Sequence, residues 1–235
     1  MPWCLVLASA TLTASCAEPD RKQTRVPSPA SSVPAQTSTP GPSTPSLTPT
    51  PRARAPVVVP YRLEVRTRDA TTRSFAAIVE QTLTDPRGWS RAGFRLVRDD
   101  RAAYLVVLAE KDEVDRLCLP YETYGKYSCQ NGPVVAINAD RWRRATPEWT
   151  GDLATYRQML VNHEVGHLLG QHHPPDPQCP AAGRPAPVMA QQSTELGGCL
   201  PNAWPLRAEI AYAATHVEPL APPFSPAATP SPSGS

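Results

Sequence analysis

The chain has 235 residues, of which 30 are proline, about 13% against an average near 5%. Its 23 basic and 21 acidic residues leave a formal net charge of +2, which excludes the concentrated positive field that nucleic-acid binding needs. The prolines gather at the two ends, so the expected organisation is one folded domain between two extended tails, large enough to bury a single core.

Residues 1–16 read as an export signal. Trp3 to Leu12 is apolar but far shorter than the ~20 residues of a membrane-spanning helix. The small residues Thr13-Ala14-Ser15 follow and lead into Cys16, in the manner of a secretory cleavage site. No Lys or Arg precedes the apolar run, a departure from the usual signal. Cys16 after small residues resembles the lipidation site of bacterial lipoproteins, which implies a membrane anchor through lipid alone; ordinary secretion is the alternative. Residues 17–60 are rich in Pro, Ser, Thr and Ala and cannot bury enough surface to offset the entropy of ordering. Runs such as Thr39-Pro40-Gly41-Pro42 favour extended, semi-rigid conformations, so this segment reads as a tether. Residues 218–235 read as a tail of the same kind.

The domain is expected over residues 61–217. Tyr61 to Arg68 alternates apolar and polar residues, as a strand does. Phe75, Ile78, Val79 and Leu83 fall at helical spacing, and Asp85-Pro86-Arg87-Gly88 ends that helix. Phe94 to Val97 and Tyr104 to Ala109 read as strands, Val114 to Leu119 as a weaker one, and Val134 to Asn138 as a further strand after Gly132-Pro133. Arg141, Arg143 and Arg144 form a small basic cluster that reads as a solvated loop face. Leu153 to Leu169 is the strongest helical segment, and Leu206 to His216 is a final helix. This order predicts an α+β domain with one mixed β-sheet.

Cys4 falls inside the signal and Cys16 at its end. Cys118, Cys129, Cys179 and Cys199 remain, an even number that in an exported chain suggests disulfides. Three pairings are open to them. The sequence-local one, Cys118 with Cys129 and Cys179 with Cys199, closes two short loops and is the expected set.

The chemistry lies in His163-Glu164-Val165-Gly166-His167-Leu168-Leu169-Gly170-Gln171-His172-His173. Residues four apart on a helix share a face, so His163 and His167 can present imidazole nitrogens to one zinc ion. Glu164 sits beside them but is displaced around the helix, where a general base for an attacking water belongs. Gly170 tolerates the left-handed conformation that stops the helix and reverses the chain. That reversal can bring His173 to the same ion; His172 is adjacent, and the spacing favours His173. Three protein ligands leave a fourth position open, as catalytic zinc sites do.

This segment matches the H-E-x-x-H-x-x-G-x-x-H signature of the metzincin zinc peptidases in full, and Pro187-Val188-Met189-Ala190 resembles their Met-turn, with Met189 the candidate methionine. More narrowly, the chain resembles an actinobacterial domain-of-unknown-function family of predicted exported zinc peptidases. That likeness covers about Tyr61 to His216, including Asp85-Pro86-Arg87-Gly88-Trp89, the Cys118 to Cys129 region, Asn138 to Trp142 and Ala186 to Gln192 running on to Cys199-Leu200-Pro201-Asn202. The resemblance implies a zincin-like fold: a mixed sheet, an active-site helix, a Met-turn and a C-terminal helix, with substrate lying along the sheet's edge strand, by position Val114 to Leu119. The Tyr that some metzincins carry after the Met-turn is replaced here by Ala190, Gln191 and Gln192. The oxyanion stabiliser besides zinc is therefore left open, with Tyr212 and Gln191 as candidates.

The resulting expectation is an exported, zinc-dependent metallopeptidase, monomeric, lipid-anchored or secreted, acting on a peptide or protein at the cell surface with Glu164 as general base. The alternatives are a non-catalytic envelope binding or scaffold protein that retains the zinc fold, and hydrolysis of a non-protein amide of the cell wall.

Overall fold

The computed structural model describes residues 55–67 and 69–216. The expected signal, Cys16, most of the tether and the C-terminal tail lie outside the described residues.

The fold is a mixed α/β arrangement built on a five-stranded sheet. At its centre is β3 (Tyr104–Ala109), every residue of which is buried. A central parallel strand is covered on both faces, which is why this segment is apolar throughout rather than alternating. Numbering the flanking strands in chain order, β1 (Val57–Val65) and β2 (Phe94–Arg98) lie on one side, and β5 (Val134–Asn138) then β4 (Cys129–Asn131) on the other. All pairs are parallel except β4 with β5, so β4 forms an antiparallel edge.

The two faces carry different cores. Val106, Leu108, Val135 and Ile137 belong to the main one, shared with α1 (Phe75–Thr84) and α4 (Leu153–Leu168), which pack on each other. Leu105, Val107, Ala109 and Ala136 face a smaller core with Val114 and Cys118 of α2 (Lys111–Cys118). Two further helices complete the domain: α3 (Ala139–Arg144) and the C-terminal α5 (Arg207–Thr215). Among the described residues no helix is long and apolar enough to cross a membrane.

Three features differ from the sequence reading. β1 begins at Val57, so Val57–Pro60 belong to the sheet and not to the tether. Pro60 is tolerated there because β1 pairs with β2 over Val57–Tyr61 and with β3 only from Tyr61 onward; the proline needs a ladder on one side alone. Val114 to Leu119, expected as a strand and as the substrate-binding edge, lies instead largely in α2. Val114, Leu117 and Cys118 stand at i, i+3 and i+4, and Asp112, Glu113 and Arg116 complement the dipole at its two ends, a helical pattern too short to stand out in the sequence. The sheet's edge strands are β2 and β4. Finally, the basic cluster is not a loop face but part of α3, started by Asn138, whose side chain accepts the Asp140 N–H at 2.9 Å.

Both expected disulfides are present. Cys118–Cys129 joins the end of α2 to β4 across 11 residues, and Cys179–Cys199 spans 20 residues on either side of Met189. Chain-entropy estimates for loops of this length are about 3 kcal/mol each. Replacing Cys118 and Cys129 together by Ser should lower the free energy of urea unfolding by about that amount, and non-reducing peptide mapping of the wild type should recover only these two links.

Candidate metal centre

α4 starts on Asp152, whose Oδ1 accepts the Thr155 N–H at 2.7 Å. It is buried along most of its length, between the sheet and the irregular segment that follows it. Its last two turns carry His163 and His167 on one face. The helix then stops in a reversal in which the Gly170 N–H donates to the His167 carbonyl and the Gln171 N–H to the Gly166 carbonyl, both at 2.9 Å. This is the paired-bond pattern that requires a left-handed residue, and Gly170 supplies it with φ of 80°.

The reversal brings in His173. The three Nε2 atoms form a nearly equilateral triangle, with His163–His173 at 3.2 Å, His163–His167 at 3.3 Å and His167–His173 at 3.1 Å. These three residues could hold a metal ion. His172 borders the same cleft but is not one of the three.

The ring tautomers follow from the neighbours. His163 Nδ1 lies 2.8 Å from the Val188 carbonyl oxygen, and His167 Nδ1 2.8 Å from that of Gln171. A carbonyl only accepts, so each Nδ1 carries the proton and each Nε2 presents a lone pair. Burial, and then the neighbouring imidazole, hold the His163 pKa down to about 3. Burial likewise lowers His167 to about 4 and depresses His173. Bare lone pairs converging at this spacing repel one another, and a cation between them removes that cost.

Glu164 is 5% exposed and lines the cleft beside the triad, without a hydrogen-bond partner among the described residues. Burial pushes its carboxyl up to about 8, and a cation nearby would pull it back. The cleft itself has a volume of about 360 Å³. Its other wall is formed by Tyr121, Lys126, Tyr127, Ser128, Cys129, Gln130 and Arg141. The unpaired edge of β4 therefore borders the cleft.

The sequence model of one protein family matches residues 51–206, and that family is described as a protein of unknown function, DUF3152. The chain belongs to this family. No curated protein matches the chain significantly. The DUF3152 match includes the three histidines, Glu164, Met189 and all four disulfide cysteines, and ends just before α5.

Met189 packs on α4 at Gly166. A Cβ at residue 166 would lie 2.4 Å from Met189 Sδ and 2.8 Å from Trp89 Cζ2, so only glycine permits this approach. Trp89, buried, also donates its indole N–H to the Asn162 carbonyl at 3.0 Å. The turn holding Met189 is tied down by Glu209 of α5, whose carboxylate accepts the N–H groups of Val188, Met189 and Leu206 at 3.1, 2.9 and 2.7 Å. Burial raises the Glu209 pKa, with these N–H groups pulling the other way. Gln192 and Asn202 brace the same turn: the Gln192 amide donates to the Pro187 and Asn202 carbonyls and accepts the Asn202 N–H.

Sequence reading passed over Gly166 and Glu209. Gly166 carried a signal, because glycine inside a strong helix costs about 1 kcal/mol against alanine and implies a packing reason. Glu209 was half-signalled, as the acidic residue three positions after a helix start, but Leu206 at that start has no side-chain acceptor to complete the box. Of the two oxyanion candidates, Gln191 borders the cleft and exchanges hydrogen bonds with Gln178. Tyr212 does not line the cleft; it is 48% exposed and stacks on His216.

Gly166→Ala should destabilise the domain by about 1–3 kcal/mol, the usual cost of overpacking. Combined with Met189→Ala it should cost less than the sum of the two single changes, measurable as a coupling energy in a double-mutant cycle. Glu209→Ala strands buried N–H groups at about 1–3 kcal/mol each, so it should lower the melting temperature by several degrees; an unchanged melting temperature would remove Glu209 as the brace of this turn.

Proposed function

We propose that this chain is an exported zinc-dependent metallopeptidase with a zincin-like fold. The observation that carries the reading is the triangle of Nε2 lone pairs with a buried, unpartnered carboxyl beside it on a cleft wall. Two nitrogens each about 2.0–2.1 Å from one tetrahedral zinc stand about 3.3–3.4 Å apart, and the triangle's sides of 3.1, 3.2 and 3.3 Å suit that ion. His163, His167 and His173 would hold it. When bound, zinc supplies a Lewis acid that polarises a carbonyl and makes water a better nucleophile near neutral pH.

The remaining work falls to side chains. A Glu164 carboxylate oxygen accepts the proton of the attacking water as its oxygen bonds to the scissile carbon, and returns it to the departing nitrogen as the C–N bond breaks. His163 and His167 are kept in their ligating tautomer by the Val188 and Gln171 carbonyls. Met189 on Gly166 takes the part of the Met-turn, supporting the floor of the triad. The peptide lies along the free edge of β4, gaining main-chain hydrogen bonds by strand addition. The disulfides support an oxidising, extracytoplasmic location, with Cys16 either lipidated or removed with the signal, and the substrate a peptide or protein at the cell surface met by a monomer.

Elemental analysis should find about one zinc per chain. Chelation should lower the melting temperature and added zinc restore it, because ligand bound only to the native state stabilises it. His167→Ala should lose the metal and His172→Ala keep it. Glu164→Gln should keep both zinc and melting temperature while losing at least about a hundredfold in peptide hydrolysis. Loss of zinc from that variant would make Glu164 a ligand, and full activity would place the base elsewhere. A zinc-loaded wild type that cleaves nothing in a broad peptide library would favour a binding role.

A further inference from the structure

The three arginines of α3 meet different surroundings. Arg143 pairs with Asp69, Glu110 and Asp140, and Arg144 with Asp140. Arg141 has no carboxylate partner among the described residues. Its Nε donates to the Lys126 carbonyl at 2.6 Å, and it lines, half-buried, the cleft that holds the triad, which the exposed Lys126 also borders.

That bond leaves the two terminal NH2 groups of Arg141 uncommitted, held on a fixed stem. They form the rigid fork that fits a carboxylate through two parallel hydrogen bonds, with the Lys126 ammonium nearby as a second charge. Among the described residues Glu164 is the only acidic one lining the cleft, and it stands with the triad; Asp140, which borders the adjoining hollow beside Arg141, is paired with Arg143 and Arg144.

We propose that Arg141, assisted by Lys126, binds a carboxylate of the substrate and so selects which peptides enter the cleft. The proposal rests on the peptidase reading and narrows its substrate class to acidic segments. The carboxylate can belong to an Asp or Glu side chain or to the end of the peptide chain.

The test uses the zinc-loaded full chain carrying Glu164→Gln, so that bound peptide is not consumed. Fluorescence anisotropy would compare labelled octapeptides containing one Asp, placed at each position in turn, with the same peptides containing Asn, each with a free and with an amidated C-terminus. At least one acidic peptide should bind about tenfold tighter than its neutral counterpart, the worth of a charge-assisted hydrogen bond, with the gap narrowing as salt rises. Arg141→Gln should remove the gap and Arg141→Lys restore part of it. Because Arg141 also anchors the Lys126 backbone, Lys126→Gln is the second variant: it keeps that anchor and should still narrow the gap. A preference lost on amidation assigns the carboxylate to the chain end, and one that survives assigns it to a side chain.

Equal binding of all acidic and neutral peptides by the parent protein would overturn the proposal, even if the wild type cleaves peptides. So would a preference unchanged in both Arg141→Gln and Lys126→Gln. Arg141-dependent binding of acidic peptides by a wild type that hydrolyses none of them would retain this proposal and sink the peptidase reading instead.

Discussion

The peptide around Val188 joins the fold to the site. Its carbonyl accepts the Nδ1 proton of His163, and its N–H donates to the Glu209 carboxylate. The first bond selects the tautomer that leaves Nε2 free, and the second holds the residue that makes the selection. A metal-binding imidazole depends on the partner of its other nitrogen for orientation and basicity, and here that partner is backbone from a segment without regular secondary structure. The geometry of the triad is therefore only as well defined as the path from α5 through Glu209 to Val188.

That dependence accounts for the construction of residues 169–206. A stretch of this length without helix or strand is unusual in a compact domain unless it serves function and is held by other means. Cys179–Cys199 closes its middle, Pro185 and Leu200 form a short parallel bridge, and Gln192 and Asn202 interlock across the turn. Each device replaces ladder hydrogen bonds with a few specific links. The freedom of the segment from a repeating pattern is what lets it carry Gln171, His173 and Met189 to different points around one triangle.

Much of this was legible in residue order because the relevant signals are local. The helix face bearing His163 and His167, the reversal at Gly170 and the buried strand Tyr104–Ala109 all follow from periodicity and backbone preference within a few residues. His163, Glu164, His167 and His173 could be named for the same reason, whereas Met189 was named through the resemblance of its segment to a Met-turn. What escaped was set by contacts between distant segments. Val114–Leu119 is too short for its helical spacing to outweigh its apolar content, so the sheet edge was misplaced. β4 has only three residues, Cys129–Asn131, and owes its existence to pairing with β5 and to the disulfide. Arg141 could not be told from Arg143, whose carboxylate partners Asp69 and Glu110 come from elsewhere in the chain.

The cleft also divides the labour of the fold between its walls. On one side α4 and the braced segment present the triad and Glu164, fixed by the main core, by α5 and by links within the segment itself. On the other side the loop between Cys118 and Cys129, with α3, presents Tyr121, Tyr127, Lys126 and Arg141, and it is anchored to the smaller core through Cys118. Asp115 of α2 steadies this loop by accepting the Gly125 N–H at 2.8 Å and a bond from Thr123. Each wall thus has its own disulfide, and the two meet where Trp142 of α3 joins the main core and its carbonyl accepts the Arg157 Nε–H of α4 at 2.8 Å. The candidate metal ligands sit on α4 and the segment that follows it, while the facing wall combines α3 with a short, disulfide-closed loop supported from the opposite face of the sheet.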